Sequence, residues 1–555
     1  MGSAYPFNLG GHTRAVSTES AEAQLWFDRG LNWCFGFHHE EAVRCFERAL
    51  QADPRCAMAH WGAAYASGPF YNLAWREFGV AEAAAATASA SAHLAHARAC
   101  LVGESGVEAE LVEALGRRFQ APHPVSPEEY DRWDTEYAAA MRRVHWRHPD
   151  DLDVAALFAE ALITRTPRRL WDVRTGRPAR EADVLEALAV CERGIAATAG
   201  TRAHAALCHM HIHILEMSGE PERAMGSADA LAGLCPDAGH LTHMPGHIYA
   251  LCGRYEAARA VSERAVAADD KYGAYDESLG FYITARAHDL HLLMSACMFL
   301  GQYRPALAAA DKMQALLTRD VVSVQGRPKL AMMSEGYVSM RMHVLVRFGR
   351  WHDILTTPAL AEPALYPVTT AMHHYARGVA LASSKRIAEA RLALASFEAS
   401  LQRIPTGRRF LSNPAQAILG VAAAMLEGEL AYHAGEVEAG FARLREAVRR
   451  DDALGYTEPW AWMHPPRHAL GALLAERGRY AEAETVFRED LGLGGEVQRC
   501  AQHPGNVWAL HGLAECLERR GSAELEAVRA KLASAVAKAD VPISSACLCR
   551  LTCCP

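Results

Sequence analysis

The feature that most constrains the fold is a pattern of small and aromatic residues between Ala23 and Pro54. In a 34-residue frame that begins at Ala23, positions 4, 8, 20, 24, 27 and 32 are occupied by Trp26, Gly30, Ala42, Phe46, Ala49 and Pro54. The small residues let two antiparallel helices approach closely, and the proline ends the second helix. The pattern therefore predicts a helical hairpin as the repeating unit.

The turn between the two helices recurs along the chain. It is found at Gly253-Arg254-Tyr255, Gly301-Gln302-Tyr303, Gly349-Arg350-Trp351 and Gly478-Arg479-Tyr480. Hairpins are therefore predicted from about residue 20 to about residue 535, with loops at 171–180 and 355–367. This arrangement is typical of tetratricopeptide repeats, so the expected fold is all-α, with helical hairpins stacked into an α-solenoid or superhelix.

Four segments are predicted from the repeats and from the distribution of histidine and cysteine. Residues 1–200 form N-terminal repeats, and residues 201–320 form histidine-rich repeats with the functional site. Residues 321–540 form C-terminal repeats, and residues 541–555 form a cysteine-rich tail.

The composition indicates the cellular compartment that is expected and the class of partner that is not. The formal net charge is −8 and no stripe of Lys and Arg occurs, so a nucleic-acid partner is not expected. No apolar run is long enough to span a membrane, and no secretion signal is seen at the start of the sequence. A cytoplasmic protein with reduced cysteines is therefore expected.

The histidines are concentrated in one part of the chain, with nine of them between residues 204 and 291. His209 and His213 are four residues apart, as are His243 and His247, and Glu216 follows on the same helical face as the first pair. Two imidazoles on consecutive helical turns can bind one ion. The predicted metal ligands are His209, His213, Glu216, His240, His243, His247, His288 and His291.

The repeat frame places these side chains on one surface. With first helices starting near residues 205, 239 and 287, the predicted ligands occupy positions 2, 5, 9 and 12, and His343 would occupy position 9 of the next repeat. These positions line the concave groove in tetratricopeptide proteins, as the resemblance implies. His204 and His211 point away from that face and are predicted to be structural.

The number and type of the ligands favour a redox metal. Many imidazoles suit copper or iron, and a carboxylate among them would favour iron. A structural zinc site needs only four ligands, so zinc is disfavoured. Copper and iron are not separated by the sequence.

Three further groups have both a functional and a structural interpretation. Cys547 and Cys549 in the tail could bind a soft metal, or could be incidental thiols. His38 and His39 lie at a helix–helix turn, which favours capping over metal binding. His464 and His468, near Trp460, Trp462 and Arg467, could form the wall of a substrate pocket or pack between helices.

The chain resembles a family of bacterial and fungal tetratricopeptide proteins with characteristic histidine motifs. The resemblance rests on His209-x-x-x-His213-x-x-Glu216, on Gly239-His240-Leu241-x-His243-Met244-Pro245-x-His247-Ile248-Tyr249, and on Tyr282 with His288-Asp289-x-His291. It departs from the family at His38, where Asn is more usual. The resemblance implies the fold but no settled reaction.

These observations support three hypotheses. The first is a metal-dependent oxidoreductase that activates dioxygen for oxidation of a small molecule or peptide, with Glu216, Tyr249 and Tyr282 as candidate catalytic residues. The second is a non-catalytic scaffold that binds peptides in the groove. The third is a protein that stores or transfers metal.

Overall fold

The computed structural model describes residues 5–101, 103 and 105–550. Short 3₁₀ helices occur at Trp75–Glu77, Pro221–Ala224 and Arg499–Ala501. The α-helices are α1 (Ala21–Phe35), α2 (His39–Ala52), α3 (Ala57–Ser67), α4 (Val80–Cys100), α5 (Val107–Leu115), α6 (Pro127–Arg147), α7 (Leu152–Thr164), α8 (Val184–Ala197), α9 (Ala205–Leu215), α10 (Met225–Leu231), α11 (Gly239–His243), α12 (Pro245–Leu251), α13 (Tyr255–Tyr275), α14 (Tyr282–Leu300), α15 (Tyr303–Leu316), α16 (Arg319–Val322), α17 (Pro328–Val338), α18 (Met340–Arg347), α19 (Trp351–Thr356), α20 (Pro367–Ser383), α21 (Ile387–Leu401), α22 (Ala415–His433), α23 (Val437–Asp452), α24 (Pro466–Glu476), α25 (Tyr480–Asp490), α26 (Val507–Arg520) and α27 (Leu525–Val536).

The all-α prediction is confirmed, with two small additions. The segment predicted as a loop at 171–180 contains the antiparallel pair β1 (Trp171–Asp172) and β2 (Arg177–Pro178). A second pair, β3 (Arg409–Phe410) and β4 (Asn413–Pro414), was not predicted. Each strand has two residues, too few to show the alternating pattern by which a strand is recognised in a sequence.

The first hairpin shows why the repeat pattern needs its residue types. Helices α1 and α2 pack against each other, and Gly30 on α1 faces Phe46 on α2. A Cβ atom at Gly30 would lie 2.6 Å from the Phe46 ring, so a larger residue would push the two helices apart. The predicted hairpin, including the end of α2 before Pro54, is confirmed.

The superhelix is wound tightly enough to bring distant repeats together around α14. Arg44 on α2 forms an ion pair with Asp276, just before α14, at 2.7 Å. From the other direction, the Trp508 indole on α26 donates a hydrogen bond to the Met298 carbonyl on α14 at 2.7 Å. Helix α14 therefore lies between the N-terminal and C-terminal repeats.

The register of the first helices was predicted correctly in two of the three histidine-rich repeats. Helices α9 and α11 begin at Ala205 and Gly239, as the frame required, but the second repeat divides its first helix into α11 and α12, with Pro245 at the start of α12. Helix α14 begins at Tyr282 rather than near residue 287. The 19-residue α14 is longer than the frame assumes, so the turn alone does not locate its start.

The C-terminal segment packs against the second half of the superhelix. The Asp540 carboxylate accepts hydrogen bonds from the backbone N–H groups of Tyr303 and Arg304 at the start of α15. Farther along, Arg347 on α18 donates to the Ala546 carbonyl at 2.5 Å. Among the described residues, no helix has the length and apolar character needed to cross a bilayer.

Candidate metal centre

Six histidines form two neighbouring groups of three. His209 and His213 on α9 lie with His240 on α11, and His243 on α11 lies with His247 on α12 and His288 on α14. Within each group, one ring nitrogen of every histidine lies within 4.8 Å of the others. The rings of His213 and His247, one from each group, have their centres 6.2 Å apart. The two groups therefore form one continuous cluster.

The Nε2 atoms face inward in both groups. In the first group the Nε2 atoms of His209 and His240 are 3.2 Å apart. In the second group the Nε2 atom of His247 lies 2.6 Å from that of His243 and 3.3 Å from that of His288. Convergent imidazole nitrogens at these separations are what a shared metal ion requires.

Protein groups outside the cluster hold the opposite nitrogens. The Nδ1 atom of His209 lies 2.8 Å from the Phe35 carbonyl oxygen, and that of His213 lies 2.8 Å from Glu216, whereas Nδ1 of His243 lies 3.4 Å from Asp289 without forming a hydrogen bond. Such contacts fix the ring orientation and the tautomer of a metal-binding histidine.

Glu216 connects the two groups. Its Oε1 atom lies 2.8 Å from Nδ1 of His213, and its Oε2 atom lies 2.5 Å from Nδ1 of His247. Since each oxygen already contacts an outer ring nitrogen, this geometry suits a residue that positions histidines in both groups. The sequence predicted Glu216 as a ligand or proton acceptor. In the structure it contacts a histidine of each group, and its carboxylate also lies within 4.8 Å of possible ligand atoms of His247 and Glu458.

Burial sets the protonation of the cluster. It lowers the pKa of each of the six imidazoles below the usual value, with neighbouring charged groups adding to or opposing the effect. Burial also raises the pKa of Glu216, an effect opposed by His247. Neutral imidazoles carry the lone pairs that bind metal, so the histidines are ready to act as ligands at neutral pH.

A large cavity reaches both groups. It has a volume of about 1060 Å³, and its wall includes His240 from the first group and His288 from the second. Other parts of the wall come from distant segments: Arg168, Lys329, Tyr337 and Glu458. A cavity of this size is in the range of small-molecule sites, and the two histidine groups lie at its wall.

Sequence reasoning did not identify the charged residues of this wall. Arg168 Nε lies 3.6 Å from Glu458, and Lys329 Nζ lies 2.8 Å from Glu77. Burial raises the pKa of Glu458 to about 8, and it lowers that of Lys329 to about 8. The backbone of Arg168 has a positive φ of 58°, and this is not visible in the sequence.

Several predicted site residues lie elsewhere. His291 contacts the Met463 sulfur at 3.0 Å and belongs to neither group. The Tyr249 hydroxyl donates to Asp229 at 2.6 Å, and the Tyr282 hydroxyl donates to Asp269 at 2.8 Å. His291 is three residues from His288, a spacing that allows two side chains to meet on one helical face. The His291 ring instead packs against Met463 and Tyr337.

The structure does not bring the predicted cysteine ligands to the histidine groups. Cys547 and Cys549 form a disulfide with each other, in contrast to the reduced thiols expected from the sequence. They line a small cavity together with His464 and His468, in the C-terminal half of the superhelix. Cys553 and Cys554 lie outside the described residues.

The histidines predicted to be structural have protein partners. His204 caps the start of α9 by accepting from the Leu207 N–H, and His211 lies 2.8 Å from the Ser227 hydroxyl. His38 caps α2. His464, for which both roles remained open, contacts the Tyr375 hydroxyl at 2.9 Å and His343 at 3.1 Å.

A third cluster of possible ligands lies near the N-terminus. Nε2 atoms of His12 and His204 contact the same oxygen of Asp153, at 2.8 and 3.1 Å. The other Asp153 oxygen accepts from Arg14 at 3.1 Å. This group resembles a metal site in composition, but a cation of the protein itself already occupies one side.

Comparisons with known proteins do not assign this chain to a family. No family model matches the chain, and no curated protein sequence matches it. Three solved structures show a likeness. Naa15/Naa10 bound to HypK-THB has 11% sequence identity and a TM-score of 0.22, and the match covers 92% of this chain and 70% of that chain. A monomeric mutant of IFIT1 with m7Gppp-AAAA has 9% identity and a TM-score of 0.32, with coverages of 94% and 91%, and yeast Tom70 has 11% identity and a TM-score of 0.29, with coverages of 92% and 92%. At these scores the matches carry no conclusion about function. The chain is an all-α protein of packed helical hairpins, and its resemblance to a bacterial and fungal tetratricopeptide family stays a prediction.

Proposed function

We propose that the two histidine groups hold a pair of metal ions, and that the protein is an oxidoreductase that activates dioxygen to oxidise a small molecule. The observation that carries this proposal is the adjacency of two groups of three imidazoles, five of the six buried, in which one histidine of each group contacts the same carboxylate, Glu216. Building such a cluster in a protein core is costly unless its nitrogens acquire partners.

Copper suits the cluster better than iron or zinc. The inward-facing atoms of both groups are imidazole nitrogens, and copper binds such sites most strongly among the common divalent metals. Iron sites of this kind usually include a carboxylate ligand, whereas both Glu216 oxygens contact outer ring nitrogens. A bound copper pair would supply reversible one-electron chemistry and binding of dioxygen.

The protein residues would perform three tasks around the metal. Glu216, Asp289 and the Phe35 carbonyl would hold the rings in position. The surrounding helices would exclude bulk water, since five of the six histidines are almost fully buried. The large cavity would bring the substrate to His240 and His288, where both groups are accessible.

Peptide binding without metal is a second candidate function. It is supported by the volume of the large cavity and by the mixture of charges on its wall, which includes Arg165, Arg409, Asp131 and Glu181. A peptide backbone and its side chains offer complementary groups of both signs. Metal storage or transfer would use the same histidines without a substrate.

Elemental analysis followed by oxygen consumption separates these functions. Protein purified without added metal is expected to contain copper, and addition of a reductant with candidate substrates should cause oxygen uptake. Absence of any bound transition metal, even after incubation with copper, would contradict the proposal and favour peptide binding. Tightly bound copper without oxygen uptake would favour storage or transfer.

A further inference from the structure

A second cavity approaches the metal centre from another side. It has a volume of about 50 Å³ and lies between α12, α14 and the segment 456–463. His247 and Glu458 line its inner end, and the partly exposed Leu251, Phe299 and His503 line its outer part. Residues 456–458 separate it from the large cavity, because they line both. We call it the narrow passage.

Polar atoms without a protein partner lie on residues that line the narrow passage. The Tyr255 hydroxyl and the Trp462 indole N–H belong to residues that line this cavity and not the large one, and the Tyr456 hydroxyl and Oε2 of Glu458 belong to residues that line both. All four atoms are buried and have no hydrogen bond among the described residues. A buried polar group without a partner costs roughly 1–3 kcal/mol. Four such atoms around one cavity indicate that their partners occupy it.

Water fits both the size and the chemistry of this space. A cavity of roughly 10–15 Å³ is sufficient for one water molecule, and buried water typically makes about three hydrogen bonds. The passage offers donors from the tyrosines and the indole, and an acceptor from Glu458. An apolar ligand would leave these groups without partners.

We infer that the narrow passage holds a chain of water molecules and carries protons between solvent and the metal centre. Its use in catalysis rests on the proposed oxidoreductase function, because oxidation at a buried centre releases or takes up protons there. A substrate in the large cavity would block exchange on that side. The narrow passage would keep a separate route open at Glu458.

Tyr255 and Tyr137 offer a matched pair for the test. Both are buried tyrosines whose hydroxyls have no hydrogen bond among the described residues, but Tyr255 lines the narrow passage and Tyr137, on α6, lines neither cavity. Tyr255→Phe should remove one water partner without altering the substrate side. Tyr137→Phe serves as the control.

The water chain is tested without any metal. A high-resolution crystal structure of the metal-free full chain should show ordered water bonded to Tyr255, Glu458 and Trp462. Tyr255→Phe should lose the adjacent water and unfold at a lower urea concentration, because a satisfied hydroxyl is lost. An empty passage, or a variant that unfolds at a higher urea concentration, would overturn the inference.

Proton delivery is tested on copper-loaded protein that has been reduced with ascorbate. Tyr255→Phe should slow reoxidation by dioxygen about tenfold and change the ratio of rates in water and deuterium oxide, whereas Tyr137→Phe should leave that ratio unchanged. Equal rates and ratios in all three proteins would overturn the role in proton transfer. Failure to bind copper would instead refute the proposed function, and the crystallographic result would still decide whether the passage is hydrated.

Discussion

The two three-histidine groups and the cluster of His12, Asp153 and His204 offer similar sets of ligand atoms, but their surroundings differ. In the central groups the Nε2 atoms face one another, and carboxylates or a carbonyl contact the outer nitrogens. In the N-terminal cluster both imidazoles contact one Asp153 oxygen, and Arg14 contacts the other. Possible ligand atoms therefore lie close together at both sites.

The difference lies in which polar groups remain without a partner. In the central cluster, the Nε2 atom of His213 is buried and has no hydrogen bond. In the N-terminal cluster each Asp153 oxygen has protein donors, and the Arg14 guanidinium supplies the positive charge that a metal ion would otherwise bring. We therefore expect metal in the centre and a metal-free ion cluster near the N-terminus.

The largest expected effect is on metal content. His243→Ala should reduce the bound copper from two ions per chain to one, and the double variant with His209→Ala should bind none, because each substitution removes one group's ligand. His12→Ala should retain both ions. Elemental analysis of folded, gel-filtered protein measures the copper content. Unchanged copper in the double variant would contradict the assignment of both ions to the central groups.

The next effect concerns the residue that joins the two groups. In Glu216→Gln only one amide atom can accept a hydrogen bond, so one of the two histidines loses its outer partner. Copper affinity, measured by competition with a chelator, should fall about 10–100-fold. Glu429→Gln, which changes another buried carboxyl near Arg347, should not alter the affinity. Equal affinities in all three proteins would contradict the role of Glu216.

The free energy of unfolding and its dependence on pH should distinguish the N-terminal cluster from the central histidine groups. Burial alone would raise the pKa of Asp153, but hydrogen bonds from His12 and His204 outweigh burial and hold this pKa well below its usual range. Because the folded-state pKa is lowered, the stabilisation is present above the unfolded-state pKa of about 3.9 and is lost as the pH falls below it.

Asp153→Asn should therefore lower the free energy of unfolding by about 3 kcal/mol at pH 7, with a smaller difference near pH 3.5. Urea unfolding in the presence of a chelator, at both pH values, gives the comparison. Copper content should match that of the unsubstituted protein. A difference that stays constant with pH would show that Asp153 acts in some other way.

The smallest effect is expected at Tyr249. Its hydroxyl contacts the exposed Asp229 rather than the metal groups, so Tyr249→Phe should cost about 1 kcal/mol or less of stability. Copper content and oxygen uptake should not change. A large loss of oxygen uptake in this variant would restore Tyr249 as a catalytic candidate.

The repeats and part of the site could be predicted from spacing along single helices. The hairpin of α1 and α2 follows from Gly30, Phe46 and Pro54, and the pair His209 and His213 follows from helical periodicity. The assignment of His240 to the first group and His288 to the second could not be predicted, because it depends on how α9, α11 and α14 pack.

Contacts between residues far apart in sequence were harder to predict. Glu458 and Arg168 meet at the cavity only after the superhelix has wound through several repeats. Neither lies in a repeat pattern or beside a histidine motif, so no local signal marked them. By contrast, Tyr249 follows His247 by only two residues in sequence, but its side chain contacts Asp229 rather than the histidine groups.

Anomalous diffraction at the copper edge, on crystals of the copper-loaded protein, shows directly where the metal ions bind. Two peaks are predicted, one among His209, His213 and His240 and one among His243, His247 and His288. No peak is predicted at His12, Asp153 and His204. Absence of peaks from the central groups, or a peak at the N-terminal cluster alone, would contradict the assignment of the metal centre.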